Sequence, residues 1–214
     1  MTMRDTTEDL IAQLSANAEP VKRLRHPLVR AALWLCAATL GAALVVYALA
    51  DMPTFMARAR DPRQMIELAA TLATGLLAVL AAFELSLPDR SRAWAWLPAP
   101  ALAIWLATTG VGCANAWFAG VRADMNESAE CFLILTAASL PLGMALSWML
   151  LRAKPLAPAP VAAMGGLGVA AIAAFLLQFF HPFDVTVLDF AVHAVAVGLV
   201  VAISAVSSRK LAAV

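Results

Sequence analysis

Charged residues are scarce in this sequence of 214 residues. Asp, Glu, Lys and Arg together make up 14% of the chain, whereas 63% of the residues are hydrophobic. Ordinary globular proteins carry about 25% charged residues, so the shortage excludes a soluble globular domain. A net charge of +1 gives no general basic field, so direct nucleic-acid binding is not expected. Only three cysteines are present, which excludes a disulfide-stabilised scaffold.

Catalytic motifs are also missing. The sequence contains no nucleotide-binding loop, no HExxH zinc motif and no nucleophile elbow, so no enzyme activity is predicted.

Long apolar runs are what the sequence has in abundance. A helix that crosses the hydrocarbon core needs about 20 mostly apolar residues, and six such runs occur. They are continuous and rich in Ala and Leu, which excludes the alternating strands of a β-barrel. The predicted fold class is therefore all-α, a polytopic membrane protein with six transmembrane helices and a short cytoplasmic N-terminal amphipathic helix. The runs are Ala31–Ala50, Ile66–Leu87, Trp94–Trp117, Cys131–Leu151, Pro158–Phe180 and Val185–Val206.

The distribution of Lys and Arg predicts the orientation. Six spans put both termini on one side, and eleven of the 15 Lys and Arg residues lie on that side. Positive charge favours the cytoplasmic side, so both termini are expected in the cytoplasm of a bacterium, with the spans in its inner membrane. The chain then divides into a partner-binding segment (1–30), a six-helix transmembrane sensor domain (31–208) and a cytoplasmic tail (209–214).

The N-terminal segment has the pattern of a short amphipathic helix. Thr6 with Asp9 resembles a capping box, and Pro20 is expected to stop the helix. Leu10, Ile11 and Leu14 fall on one face, flanked by acidic residues that an anionic leaflet repels. A helix that docks into a partner's groove therefore explains the pattern better than one lying on the bilayer. The basic residues that follow are expected to lie at the headgroups: Lys22, Arg23, Arg25, His26 and Arg30.

Two of the three cysteines are expected to flank one outer loop. Cys113 lies near the outer end of the third span and Cys131 at the start of the fourth. The hairpin brings the two positions near each other, so a disulfide and a thiol sensor are both compatible with the spacing. Cys36, near the cytoplasmic end of the first span, has no partner in the pattern and is expected to fill the core.

Ionisable residues also occur at and within the last span. His181 and Asp184 precede it, and Asp189 and His193 lie inside it at i, i+4 spacing. Intramembrane ionisable residues are costly, so they are candidates for a functional site. Three alternatives stay open: a metal site, a hydrogen bond between Asp and His within the bundle, and a proton or substrate pathway. No ligand set is defined, and no cofactor is predicted beyond transient metal binding at the outer face.

Two stretches of the chain resemble the NrsF family of integral-membrane anti-sigma factors. The first is TEDLIAQLSANAEPVKRLRHPLVR, from Thr7 to Arg30, and the second is QFFHPFDVTVLDFAVHA, from Gln178 to Ala194. The resemblance extends from about Thr6 to Lys210 and includes the six spans and the outer cysteines. It implies a protein that holds an extracytoplasmic-function sigma factor at the inner membrane and releases it under metal or oxidative stress.

The resemblance and the residue pattern together assign two sets of candidate residues. The predicted sensing residues are Cys113, Cys131, His181 and Asp184. The predicted partner-binding residues are Glu8, Asp9, Leu10, Ile11, Leu14, Val21, Arg23, Leu24 and Arg25.

An alternative function of another class is a small transporter or metal permease. Its polar path would pass through Asp189, His193, Glu67 and Glu84.

Overall fold

A computed structural model describes residues 3–16, 24–121 and 125–180, together with isolated helical positions between residues 188 and 202. Every regular element within these ranges is a helix. A 3-10 helix, Arg92–Trp96, precedes α5. The helices are α1 (Met3–Ala16), α2 (Pro27–Leu49), α3 (Met52–Arg58), α4 (Pro62–Leu85), α5 (Ala99–Phe118), α6 (Met125–Leu151) and α7 (Pro158–Leu177).

Four segments of the described chain are helical, long and apolar enough to cross a membrane. They correspond to the predicted first, second, third and fifth spans. The predicted fourth span falls in α6, where Thr136–Leu151 is a shorter apolar helix, and the predicted sixth lies mostly outside the described residues. Six spans therefore stay a prediction, whereas the all-helical class is confirmed. The four segments are Pro27–Ala48, Pro62–Leu85, Arg92–Phe118 and Pro158–Leu177.

Prolines move two of the predicted span boundaries. α2 begins at Pro27, one turn before the predicted start, and the His26 ring accepts a hydrogen bond from the Leu28 amide at 3.3 Å. Proline suits the first turn of a helix because its missing N–H would have no helical partner there. The second span likewise begins at Pro62, one turn before the predicted Ile66, whereas Trp94 lies in the 3-10 helix that opens the segment Arg92–Phe118.

A short helix, α3, lies between α2 and α4 and was not predicted from the sequence. Asp51 caps it by accepting hydrogen bonds from the Thr54 hydroxyl at 2.6 Å and the Thr54 amide at 3.2 Å. These bonds stabilise the carboxylate and hold the pKa of Asp51 below its ordinary value. Asp61 caps α4 in the same way, by accepting from the Arg63 amide at 2.9 Å. Aspartate with a proline one or two positions later was the available signal for both starts.

α4 is the central helix of the described bundle. It packs most extensively against α7 and also contacts α5, α2 and the 3-10 helix, while α6 packs against α7 and α2. Gly75 on α4 and Gly168 on α7 let the two backbones approach: a Cβ on Gly168 would lie 3.0 Å from the Val79 nitrogen and 3.3 Å from the Gly75 oxygen. Small residues at helix contacts are typical of membrane helices.

The bundle has two ends, which are named here for use below. The basal end contains the start of α2 and the ends of α4 and α6, which Arg30 joins. The distal end contains the starts of α3 and α4 and the ends of α5 and α7, where Phe55 stacks on Phe179 with ring centroids 4.5 Å apart. The buried core lies nearer the basal end and includes Trp34, Val79, Phe83, Leu146, Leu150, Val161, Val169 and Ile172.

Candidate partner-binding helix and the polar ends of the bundle

The predicted N-terminal helix is present as α1. It ends at Ala16, before Pro20. All side chains from Thr7 to Ala16 are exposed, including Glu8 and Asp9. Exposure of the three large apolar residues is 54% for Leu10, 59% for Ile11 and 64% for Leu14. An exposed apolar stripe on a helix that the bundle does not cover is suited to docking into a groove of a partner.

The segment between α1 and α2 is described only in part. Val21 and Arg23, both predicted to bind the partner, lie outside the described residues. Leu24 is 46% exposed, and Arg25 and His26 are also exposed. The three exposed residues directly precede Pro27, so the candidate partner-binding segment leaves the bundle at the start of α2.

The interpretation of Arg30 as a residue at the lipid headgroups is wrong, because the side chain is buried in the bundle. Arg30 is only 6% exposed. Its guanidinium donates to the Met149 carbonyl and, at 3.4 Å, to the Ser86 hydroxyl, and it lies 5.0 Å from the centroid of the Phe83 ring. No carboxylate in the described part of the chain pairs with it.

The position of Arg30 explains how this buried charge is tolerated. Ser86 caps the C-terminus of α4, and Met149 lies in the last turn of α6. The last carbonyls of a helix lack helical partners, and the helix dipole is negative there, so a cation is favourable at this point. Arg30 therefore satisfies the ends of two helices at once. This contact has no local signal in the sequence, because it joins segments that are far apart along the chain.

Glu84 is a second buried charge near the basal end. Its side chain is 4% exposed and pairs with the Arg90 guanidinium, with 3.0 Å between Oε2 and Nε. A buried carboxylate needs such a partner because desolvation of an isolated charge is costly. The pair fixes the turn that follows α4.

A polar cluster occupies the distal end. Glu67 is 6% exposed, and its Oε2 lies 3.5 Å from Arg63 Nη1, an ion pair at the i, i+4 spacing that the sequence already shows. The Thr109 hydroxyl, on α5, donates to Glu67 Oε1 at 3.1 Å, and Arg63 donates to the Thr108 carbonyl at 3.4 Å. Gly112 makes room for this arginine, because a Cβ there would lie 2.4 Å from the Arg63 side chain. Neither Thr109 nor Gly112 was predicted from the sequence.

Glu67 and Glu84 do not form a continuous polar path in the described bundle. They lie at opposite ends of α4, about 25 Å apart at 1.5 Å per residue. Each is paired with an arginine of its own end. Between them α4 buries Thr71 and Thr74, whose hydroxyls donate to carbonyls of their own helix, and then the apolar run Ala78, Val79, Ala81, Ala82 and Phe83. Within the described part of α4, this apolar run separates the two carboxylates.

The predicted sensing residues are described only in part. Cys113 is a half-buried free thiol on α5, next to Gly112, while the side chain of Cys131 on α6 lies outside the described residues. His181, Asp184, Asp189 and His193 lie outside them as well. Within the described residues, no three His, Cys, Asp or Glu side chains come together as a metal site.

Cys36 does not fill the core. It is exposed on α2, so the expectation drawn from its lack of a partner is wrong. The buried face of α2 is instead formed by Ala31, Trp34 and Ala38. These positions recur at i, i+3 and i+7, a spacing that places them on one side of a helix and leaves position 36 on another.

The fold and the exposed α1 together define a helical bundle with several segments long enough to span a membrane and a protruding N-terminal helix. A family model described as "NrsF: Negative regulator of sigma F" matches residues 14–213, and the chain belongs to this family. The resemblance found in the sequence is thereby confirmed. Searches of curated proteins and of solved structures give no match. The matched range begins at Leu14, so Leu10 and Ile11 precede it.

Proposed function

We propose that this protein is a membrane-bound anti-sigma factor that sequesters an extracytoplasmic-function sigma factor through α1. The observation that carries the proposal is the exposed stripe of Leu10, Ile11 and Leu14 on a helix separate from the buried core. The family description, negative regulator of sigma F, supports a sigma factor as the partner. Sequestration is a binding function and needs no catalytic group.

The stripe can supply only part of the affinity. Full burial of each of the three side chains contributes about 1.5–3 kcal/mol, and ordering of the helix and of the segment behind it subtracts from the sum. Glu8 and Asp9 add charge complementarity to a basic partner surface. Leu24 and Arg25, exposed where the segment joins α2, supply further contacts. Attachment to the membrane then keeps the bound sigma factor away from RNA polymerase.

The proposed location is the bacterial inner membrane, with six spans and both termini in the cytoplasm. The basal end then faces the cytoplasm and the distal end faces outward. The exposed cations Arg25, Arg92, Arg152 and Lys154 near the basal end support this orientation. Reporter fusions after Arg92 and Arg152 should give cytoplasmic signals, and a fusion after Arg60 an external one. The opposite signals would reject the orientation without affecting the partner.

Release of the sigma factor is proposed to follow metal or oxidative stress at the outer face. Cys113 on α5 supports this step, because it is a free thiol next to the distal polar cluster. Cys131, His181 and Asp184 are its proposed companions. Oxidation or metal binding at these side chains would shift the packed helices from one discrete arrangement to another. The shift would alter the positions of the helix ends at the basal end.

The decisive experiment is co-purification of the full-length membrane protein with the sigma factor. The double change Leu10→Ala and Leu14→Ala removes most of the stripe and should abolish capture, because the remaining contacts are few. The matched control is Ala12→Ser with Ala16→Ser, which alters the opposite face of the same helix. The control should retain the sigma factor, and both variants should reach the membrane in parental amounts.

Three results would contradict the proposal. Undiminished capture by the double variant would reject docking through α1. The anti-sigma function itself would be rejected if the parent protein retained no sigma factor. It would also be rejected if deletion of the gene for this protein did not raise sigma-dependent transcription.

A further inference from the structure

Several exposed cations at the basal end have no carboxylate partner among the described residues. Arg30 joins the start of α2 to Ser86 and Met149. Each exposed cation lies within six residues of Arg30, Ser86 or Met149 along the chain. The exposed cations are therefore close to the same end of the bundle. They form the basal rim, defined as Arg25, Arg92, Arg152 and Lys154.

The aromatic residues of this end are also exposed. The Arg152 guanidinium lies 3.6 Å from the centroid of the Trp148 ring, and Trp148 is 58% exposed. Trp96, in the 3-10 helix that Arg92 begins, is 76% exposed. Tryptophan is enriched at the boundary between acyl chains and headgroups, and arginine reaches outward from that depth to the headgroups.

The distal end differs in how its arginines are used. Arg63 pairs with Asp61 and Glu67, and Arg58 donates to the Gln64 side chain at 3.2 Å. The protein itself thus engages two of the three described arginines of this end. The basal rim cations have no ion-pair or hydrogen-bond partner in the described chain, so their N–H groups are available to an external anion.

We propose that the basal rim binds the headgroup phosphate of anionic phospholipids. Arg92, Arg152 and Lys154 donate hydrogen bonds to phosphate oxygens, while Trp148 and Trp96 contact the upper acyl chains. The acidic helix α1 would be an alternative occupant by charge alone. All of its side chains from Thr7 to Ala16 are exposed, however, which favours the lipid. The proposal is independent of the sigma factor.

The experiment reconstitutes the full chain into nanodiscs made from equal parts of phosphatidylcholine and phosphatidylglycerol, and native mass spectrometry measures the lipids retained. The parent protein should retain phosphatidylglycerol in excess. Arg152→Gln should lower the retained ratio about fivefold, and Arg92→Gln and Lys154→Gln should each add a similar loss. Arg25 is left unchanged because it belongs to the proposed partner-binding segment.

The matched control is Arg60→Gln, which removes one exposed arginine from the distal end. It should leave the retained ratio unchanged. If the variant that combines Arg92→Gln, Arg152→Gln and Lys154→Gln does not fold, the single changes Arg152→Gln and Lys154→Gln still test lipid binding by the rim. Both residues are exposed beyond the end of α6.

Two results would overturn the proposal. One is an equal loss of phosphatidylglycerol in Arg60→Gln and Arg152→Gln, which would mean attraction by net charge alone. The other is unchanged retention of phosphatidylglycerol in the rim variants. If α1 is also cleaved faster by a protease in these variants, the rim binds the acidic helix instead.

Discussion

The Arg30 guanidinium on α2 donates a hydrogen bond to the Met149 carbonyl of α6, 119 positions further along the chain. This carbonyl lies in the last turn of its helix, where backbone acceptors lack helical donors. The contact therefore caps α6 and at the same time fixes the point at which the candidate partner-binding segment leaves the bundle.

The change Arg30→Met should destabilise the bundle because it leaves the Met149 carbonyl and the Ser86 hydroxyl without their charged donor. The expected loss is about 1.5–3 kcal/mol in the free energy of unfolding. Thermal unfolding in detergent, followed by circular dichroism, measures it. Arg25→Met is the matched control, because Arg25 is exposed, and it should stay within about 0.5 kcal/mol of the parent. Equal midpoints for the two variants would reject the capping role.

Gly168→Ala should weaken the contact between α4 and α7. Its new Cβ would lie 2.7 Å from Val79 Cγ2 and 3.0 Å from the Val79 nitrogen, and the backbone atom cannot rotate away. We expect a loss of about 1–3 kcal/mol. Gly41→Ala on α2 meets nothing within 4 Å and should be neutral or slightly stabilising. The same unfolding measurement compares them, and a parental midpoint for Gly168→Ala would refute the close approach.

Thr109→Val tests the distal polar cluster. It removes the hydroxyl that donates to the buried Glu67 carboxylate, so we expect a loss of about 1.5–3 kcal/mol in stability. Thr108→Val is the matched control, because the Thr108 hydroxyl bonds only to carbonyls of its own helix, those of Ile104 and Trp105. In chemical denaturation in detergent, the free energy of unfolding of Thr109→Val should therefore be well below that of Thr108→Val. The reverse order would contradict a stabilising hydrogen bond between Thr109 and Glu67.

The proposed sensing step predicts a separation of repression from induction. Cys113→Ser and Cys131→Ser should still repress a sigma-dependent reporter in unstressed cells but should respond less to metal or oxidant, because only the thiols react. Cys36→Ser is the control, since Cys36 is exposed on α2 away from the distal end. Parental induction in both variants would reject the thiol step and leave His181 and Asp184 as candidates.

The features that the sequence predicted correctly are those that depend on local composition and period. Apolar runs of about 20 residues indicate helices wherever water is absent, because backbone groups must then be satisfied within one segment. The helix α1, its exposed stripe and the i, i+4 pair of Arg63 and Glu67 follow from spacing along a single helix. The family membership likewise followed from short quoted stretches of the chain.

Tertiary structure decided what depends on contacts between distant segments. Arg30 has the same local context as the headgroup-anchoring arginines, and only the ends of α4 and α6 beside it make it a buried cap. Cys36 is as apolar as its buried neighbours, and only the packing of α2 leaves it exposed. Thr109 reaches Glu67 because α5 lies against α4. A side chain's burial depends on which helix lies beside it, and that is settled by the packing of the whole bundle.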